Sequence, residues 1–254
     1  MIAVLDGWLS PAPVAGRIGW LTGHDYAHRG LHGAGVPENS LPAFAAAIAR
    51  GLGIECDVQQ TGDGHAVVFH DWELDRLTGE SGAVARRSAA DLAQVALGSG
   101  ADRIPGLGDL LGLVGGRVPL LIELKTKRER RIAPLCLAVR RALEGYAGPA
   151  AVMSFDPRVS AWFRRHGPRV VSGLVVSEEG ARTASGTVRR HLALWRARPD
   201  FLAYDVRDLP SPFAAAQRKR GLPVLTWTVR STALRKQAAE HSDAPIAEWE
   251  GLPG

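Results

Sequence analysis

The sequence predicts an α/β chain of the (β/α)8, or TIM-barrel, class with a small insertion after the second barrel strand. Three observations lead there. The length, 254 residues with 46% hydrophobic and 22% charged, suits one barrel. From about residue 118 onward, short apolar runs alternate with helical stretches five times. The first such unit also returns to a strand through a helix, which implies parallel pairing and a right-handed crossover. A doubly wound open sheet is the competing architecture, but no G-x-G-x-x-G fingerprint opens the first unit. No low-complexity linker divides the chain, so residues 1–254 are expected to form a single domain.

Taken in order, residues 1–24 read as a loop with a short packing segment, because Asp6, Pro11 and Pro13 interrupt a mildly apolar start. A strand is expected over Asp25–Gly30, followed by the Gly-rich loop Leu31–Val36. Ser40 is a plausible N-cap for a helix over Leu41–Arg50, with Pro42 in its first turn and Gly51 at its end. The run Ile54-Glu55-Cys56-Asp57-Val58 is the second strand. Thr61-Gly62-Asp63-Gly64 is a tight turn, and Ala66–Asp71 returns as a strand. Residues 72–117 do not fit the repeat and are read as the insertion. Strands then follow at 118–125, 150–155, 170–176, 201–206, 223–229 and, weakly, 245–249. Helices are expected at 129–146, 158–166, 187–196, 212–220 and 232–240.

Composition narrows the function. Net charge is +5 and the pI about 9.7. The excess is scattered arginine, including the run from Arg128 to Arg131, most of it on predicted helices where a solvated face explains it. No finger, RNA-recognition or helix-turn-helix pattern accompanies it, so nucleic acid is not an expected partner. Two cysteines, Cys56 and Cys136, are too few for a disulfide framework and read as small buried hydrophobes. The sequence shows no signal peptide and no stretch long enough to span a bilayer. Stable membrane insertion is therefore not expected, and the cytoplasm is the expected compartment.

The chemistry lies at strand ends. Alternation puts Glu55 and Asp57 on one face of their strand, where two like charges repel and lose hydration unless a cation offsets them. An exposed polar strand face is the plain alternative. In Leu120-Leu121-Ile122-Glu123-Leu124-Lys125, Glu123 and Lys125 share a face inside an apolar strand; a structural ion pair is the plain alternative there. The first strand ends on His28-Arg29 and the returning strand on His70-Asp71. Taken singly, each histidine is more often structural than catalytic. Several independent strands ending on reactive groups weaken that reading for each, because barrels gather such groups at one face. Glu55, Asp57 and Glu123 offer hard oxygen ligands suited to Mg2+ or Ca2+ rather than to zinc. Arg29 and Lys125 offer fixed positive charge for a phosphate. His28 and His70 can exchange protons near neutral pH. Together these parts suit metal-assisted phosphodiester cleavage.

His28-Arg29-Gly30, Pro37-Glu38-Asn39-Ser40, Glu55-x-Asp57, Asp63-Gly64, His70-Asp71 with Leu74 and Leu77-Thr78, Glu123-Leu124-Lys125 and Ser154-Phe155 occur in one order and spacing. In that order the chain resembles the glycerophosphodiester phosphodiesterase family from about residue 25 to 230. Gly221-Leu222-Pro223-Val224 and Trp227-Thr228-Val229 also look like that family's seventh strand. The resemblance implies one divalent metal held by Glu55, Asp57 and Glu123, catalytic His28 and His70, and phosphate contacts from Arg29 and Lys125. It implies a ligand-orienting role for Glu38, and apolar walls from Phe155 and Trp227 beside a small-molecule substrate. The implied reaction turns a glycerophosphodiester and water into glycerol 3-phosphate and an alcohol. The chain departs from the family at its last strand, where Ala244-Pro245-Ile246-Ala247-Glu248 stands in place of a Thr-Asp stretch. Two other functions fit the same residues: a phospholipase D-like or lysophospholipase D-like phosphodiesterase, and a non-catalytic barrel that binds anions. The first would need an apolar channel near the site; the second would be expected to lack one of the histidines or carboxylates.

Overall fold

A computed structural model describes residues 2–33, 35–127 and 129–253; Ala34 of the predicted Gly-rich loop and Arg128 of the arginine run lie outside the described residues. The chain divides into two compact units, Ala27–Ala150 and Met1–Tyr26 with Ala151–Gly254. Helices are α1 (Ile2–Leu9), α2 (Ala15–Ile18), α3 (Leu41–Ala49), α4 (Ala89–Leu92), α5 (Leu107–Val114), α6 (Ala133–Ala142), α7 (Pro157–His166), α8 (Ala184–Ala197), α9 (Pro212–Lys219) and α10 (Thr232–His241). Strands are β1 (Tyr26–His28), β2 (Gly53–Gln60), β3 (Ala66–Val68), β4 (Leu120–Leu124), β5 (Ala150–Ser154), β6 (Val171–Val176), β7 (Phe201–Asp205), β8 (Val224–Val229) and β9 (Ala244–Ala247). Their order, β1-β9-β8-β7-β6-β5-β4-β2 with β1 also beside β2, is that of the (β/α)8 barrel the sequence predicts.

In the unit Ala27–Ala150, β2 pairs parallel with β4 and antiparallel with β3, so β3 is a hairpin strand appended to the barrel order. Ser40 caps α3 by accepting from the Ala43 N–H, as expected. The predicted first strand ends early because the backbone turns: Arg29 (φ 56°) and Gly30 (φ 80°) are both left-handed. Gly30 is required twice over. Its φ disfavours a side chain, and a Cβ there would meet the backbone and Cβ of Ala43 and the ring of Phe44 at 2.9 Å.

The insertion predicted at 72–117 is too long at its C-terminal end. Leu107, Leu110, Leu111 and Val114 bury one stripe of α5, which packs on α3 and α6 and serves as a crossover helix between β2 and β4. The extra material therefore ends near Gly106. It packs a core of its own from Val67, Phe69, Leu74, Val84, Leu92, Val95, Leu97 and Ile104. The helix predicted at 129–146 is shorter, running from Ala133 with a proline in its first turn.

In the other unit, β5 to β9 run parallel in sequence order, each followed or preceded by a helix. Leu174, Leu194, Leu202, Tyr204, Phe213 and Val224 lie in one buried cluster. The Phe201 ring fills the space where a side chain at Gly173, its register partner, would stand. Within the stretch expected to be a loop with a short packing segment, Ile2–Leu9 and Ala15–Ile18 are α-helical. Asp6, which looked like a break, is buried and accepts from His191 Nδ1 (2.8 Å), Trp195 Nε1 (2.7 Å) and Gln217 Nε2 (2.6 Å). An eight-residue helix is marginal alone, so these tertiary bonds hold α1 in place. The closing strand forms at Ala244–Ala247 despite its atypical sequence. Both cysteines are free and buried, as expected. Among the described residues no helix is long and apolar enough to cross a membrane.

Candidate active site

The site is built within the unit Ala27–Ala150. Its base is the register of two parallel strands, which sets Asp57 beside Glu123. Alternation then places Glu55, Asp57, Leu121 and Glu123 on one sheet face. Glu55, Asp57 and Glu123 each offer a carboxylate oxygen, and these three atoms lie within 4.8 Å of one another. Glu55 and Asp57 are each only 1% exposed. Three carboxylates this close and this dry would repel strongly without cations.

Lys125 sits just past the end of β4. Its Nζ lies 3.2 Å from Glu123 Oε1 and 3.5 Å from Asp57 Oδ1. Arg29 comes from the left-handed turn after β1. Its backbone N–H donates to Glu55 Oε2 (3.1 Å), its Nη1 donates to Glu38 Oε1 (2.8 Å), and its Nε is 3.2 Å from Asp57 Oδ2. His28 ends β1, largely buried, with Nε2 3.8 Å from Glu55 Oε2. His70 Nδ1 stands 2.6 Å from Asp71 Oδ1; a carboxylate can only accept, so Nδ1 carries the proton and Nε2 is left as the free nitrogen.

Burial pushes the Asp57 carboxyl up, but Lys125 and Arg29 outweigh it and hold the group down at about 2. Burial, reinforced by the charges of Asp57 and Glu123, drives the Glu55 carboxyl well above the ordinary range. Glu123 is also raised, by burial first and by Asp57 in addition, against the opposing pull of Lys125. The His70 imidazole is pushed down by burial and by nearby Lys125 and Arg29, with Asp57 opposing. For Arg29, burial disfavours the charged form, but Asp57, Glu38 and Glu55 together raise it.

Every candidate in this unit is therefore connected: His28, Arg29, Glu38, Glu55, Asp57, His70, Glu123 and Lys125. Phe155 and Trp227 belong to the other unit. There they meet edge to face with ring centroids 5.5 Å apart, Phe155 is 49% exposed, and Trp227 Nε1 donates to the Ala203 carbonyl.

Three residues to which the sequence assigned no role complete the network. Asn39, left-handed at φ 55° and 1% exposed, donates through Nδ2 to Asp57 Oδ2 (3.0 Å) and accepts from the Asp57 N–H (3.2 Å). Asp71 joins His70 to Arg76. Arg76 in turn donates to both Glu38 oxygens, at 2.7 and 3.2 Å. Glu38 thereby bridges two guanidinium groups, and both hold its carboxyl low against burial. Asn39 lies in a Pro-Glu-Asn-Ser stretch that reads as turn and cap. Arg76 lies in the insertion, where local pattern assigns it nothing.

Residues 28–246 match the model of the glycerophosphoryl diester phosphodiesterase family. A Mycobacterium tuberculosis protein named "Probable glycerophosphodiester phosphodiesterase 2" is 35% identical over 210 residues, spanning 79% of this chain and 71% of that one. The crystal structure of a Thermotoga maritima glycerophosphodiester phosphodiesterase is similar at a TM-score of 0.71 and 25% identity, covering 87% of this chain and 92% of that one. An Oleispira antarctica phosphodiesterase, solved in complex with the product sn-glycerol-3-phosphate, shares the fold at a TM-score of 0.77 and 24% identity over 88% and 92% of the two chains. A match over most of the chain thus meets a site whose parts follow that family's motif order, and the chain belongs to the glycerophosphoryl diester phosphodiesterase family, a family of phosphoric diester hydrolases.

Proposed function

We propose that the chain hydrolyses small glycerophosphodiesters to glycerol 3-phosphate and an alcohol, using one divalent cation, Mg2+ or Ca2+, held by Glu55, Asp57 and Glu123. The convergence of those three carboxylates carries the proposal. The donor chemistry fits: all three are hard oxygens from the sheet, with no thiolate among them. The charge fits as well. With all five carboxylates ionised and the imidazoles neutral, Glu38, Glu55, Asp57, Asp71 and Glu123 against Arg29, Arg76 and Lys125 leave two negative charges, an excess that adds to burial in raising Glu55 and Glu123. A bound dication would supply that missing charge and stabilise the phosphoryl oxygens as a Lewis acid.

The protein's own groups divide the remaining work. Arg29 and Lys125, held in place by carboxylates, turn their positive charge toward the phosphoryl oxygens. Glu38 orients Arg29. In the first step the glycerol 2-hydroxyl oxygen bonds to phosphorus and the bond from phosphorus to the alcohol oxygen breaks. One histidine takes the hydroxyl proton and the other protonates the departing oxygen. Water then adds to the cyclic phosphodiester and the bond to the 2-oxygen breaks, with the histidines in exchanged roles, giving glycerol 3-phosphate.

The test offers glycerophosphocholine and lysophosphatidylcholine in parallel after chelation and after return of Mg2+ or Ca2+. Metal-restored release of glycerol 3-phosphate from the first is expected. His28→Ala and His70→Ala should each lower kcat by about 10²-fold or more in a folded protein. Calorimetric titration of the metal should show binding that Glu55→Gln weakens. Turnover indifferent to chelation, or mild effects in both histidine variants, would discard the mechanism.

A further inference from the structure

The molecule carries an apolar surface that the site does not use. Among the described residues, Val4 is 75% exposed and Trp8 88%, with Leu5 beside them on α1; Val188 and Leu192 are exposed on α8. These helices pack against each other, both within the same unit. The arrangement is forced by Asp6. Its buried carboxylate faces α8 and α9, and at helical spacing Val4 and Trp8 fall on the opposite side of α1. On α8, the His191–Trp195 stripe that bonds Asp6 borders the Val188–Leu192 stripe, and Arg189 and Arg196 flank that stripe's outer edge. Both arginines are exposed; the charge of Arg196 reaches the Asp156 carboxylate, whose ion pair is with Arg158. The buried Asp6 is the only carboxylate on α1, α8 and α9.

Aromatic and aliphatic side chains rimmed by exposed guanidinium groups suit the boundary of an anionic bilayer. A second copy of the chain suits this face less well. A two-fold contact would bring both sets of arginines to one rim, where α1, α8 and α9 offer no exposed carboxylate. Five apolar side chains are also far fewer than the roughly 20–30 residues a side of a stable protein interface. We propose that the α1–α8 face docks this protein reversibly on membranes containing anionic lipid. Trp8, Val4, Leu5, Val188 and Leu192 enter the headgroup boundary, and Arg189 and Arg196 meet lipid phosphates. The contact needs no spanning helix and does not depend on the function proposed above.

The test is co-sedimentation of the full chain with phosphatidylcholine vesicles, with and without about one part in four phosphatidylglycerol. Binding to the anionic vesicles should exceed binding to the neutral ones by about tenfold, and should be lost near 0.5 M NaCl, where screening shortens to a few ångströms. Two double variants, Trp8→Ser with Leu192→Ser and Arg189→Gln with Arg196→Gln, should each cut it about tenfold. Both should keep turnover of a water-soluble glycerophosphodiester. No binding to anionic vesicles, equal binding to neutral ones, or full binding by both variants would overturn the proposal. So would a concentration-dependent dimer that the Trp8→Ser, Leu192→Ser variant abolishes, which would assign the face to a second copy.

Discussion

Asn39 offers the sharpest test of how the acidic cluster is held. Replacing it with alanine removes three things. The bond from Nδ2 to Asp57 Oδ2 is charge-assisted, a class that contributes about 1.5–3 kcal/mol. The buried Asp57 N–H loses its acceptor, which costs about 1–3 kcal/mol. The left-handed backbone at φ 55° suits asparagine and costs alanine about 1 kcal/mol more. These terms share one site and do not simply add; about 4 kcal/mol is the expected loss. At roughly 2–4 °C per kcal/mol for a chain of this size, the thermal midpoint should fall by about 10 °C. Asn39→Gly separates the backbone part, because glycine accepts the conformation but makes neither bond. Asn39→Asp keeps the acceptor and sets a second carboxylate oxygen 3.0 Å from Asp57 Oδ2, a repulsion of about 5 kcal/mol at an effective dielectric constant near 20. Calorimetry on the three variants, with kcat on glycerophosphocholine, reads both consequences. If Asn39→Ala melts within about 2 °C of the wild type and turns over normally, Asp57 is held without Asn39 and the argument fails.

Two other perturbations follow from the same contacts. Asp71→Asn removes the carboxylate that fixes the His70 ring, so kcat should fall about 10²-fold with KM little changed; a pure KM effect would mean Asp71 does not position His70. Asp208 provides a pH test away from the site. Burial pushes its carboxyl up, but the Glu178 N–H, Arg182 and Ser177 outweigh this and hold it below the ordinary value. A depressed folded pKa means that the unfolded chain binds the proton more readily. The stabilisation is therefore present above the unfolded value near 4 and disappears as pH falls through the lower folded value. Denaturant titrations should show Asp208→Asn less stable than wild type at neutral pH, with the gap closing in acid. A gap constant with pH would refute the assignment.

Much of the site was legible because it sits on strands. Glu55, Asp57 and Glu123 lie at period-2 positions in apolar runs, and period fixes the face whatever surrounds it. His28, Arg29, His70 and Lys125 stand at or next to strand ends, where barrels gather reactive groups. The helices were legible where caps and apolar stripes agreed, as at Ser40 and α3. Legibility failed where one residue's meaning depended on a distant one. Asp6 interrupts an apolar run, and only His191, Trp195 and Gln217 make its burial tolerable. Arg76 is an unremarkable arginine in the insertion until Glu38 and Asp71 are seen on either side of it.

The sequence by itself determined the fold class, the order of its strands and the carboxylates, imidazoles and cations of the candidate site, because local period and caps encode those directly. The tertiary structure alone decided the fate of α1, the true end of the insertion, the bridge from His70 to Arg29 through Asp71, Arg76 and Glu38, and the clamp of Asn39 on Asp57. Each of these depends on burying a polar or charged group, which is tolerable only when its partner arrives from elsewhere in the chain.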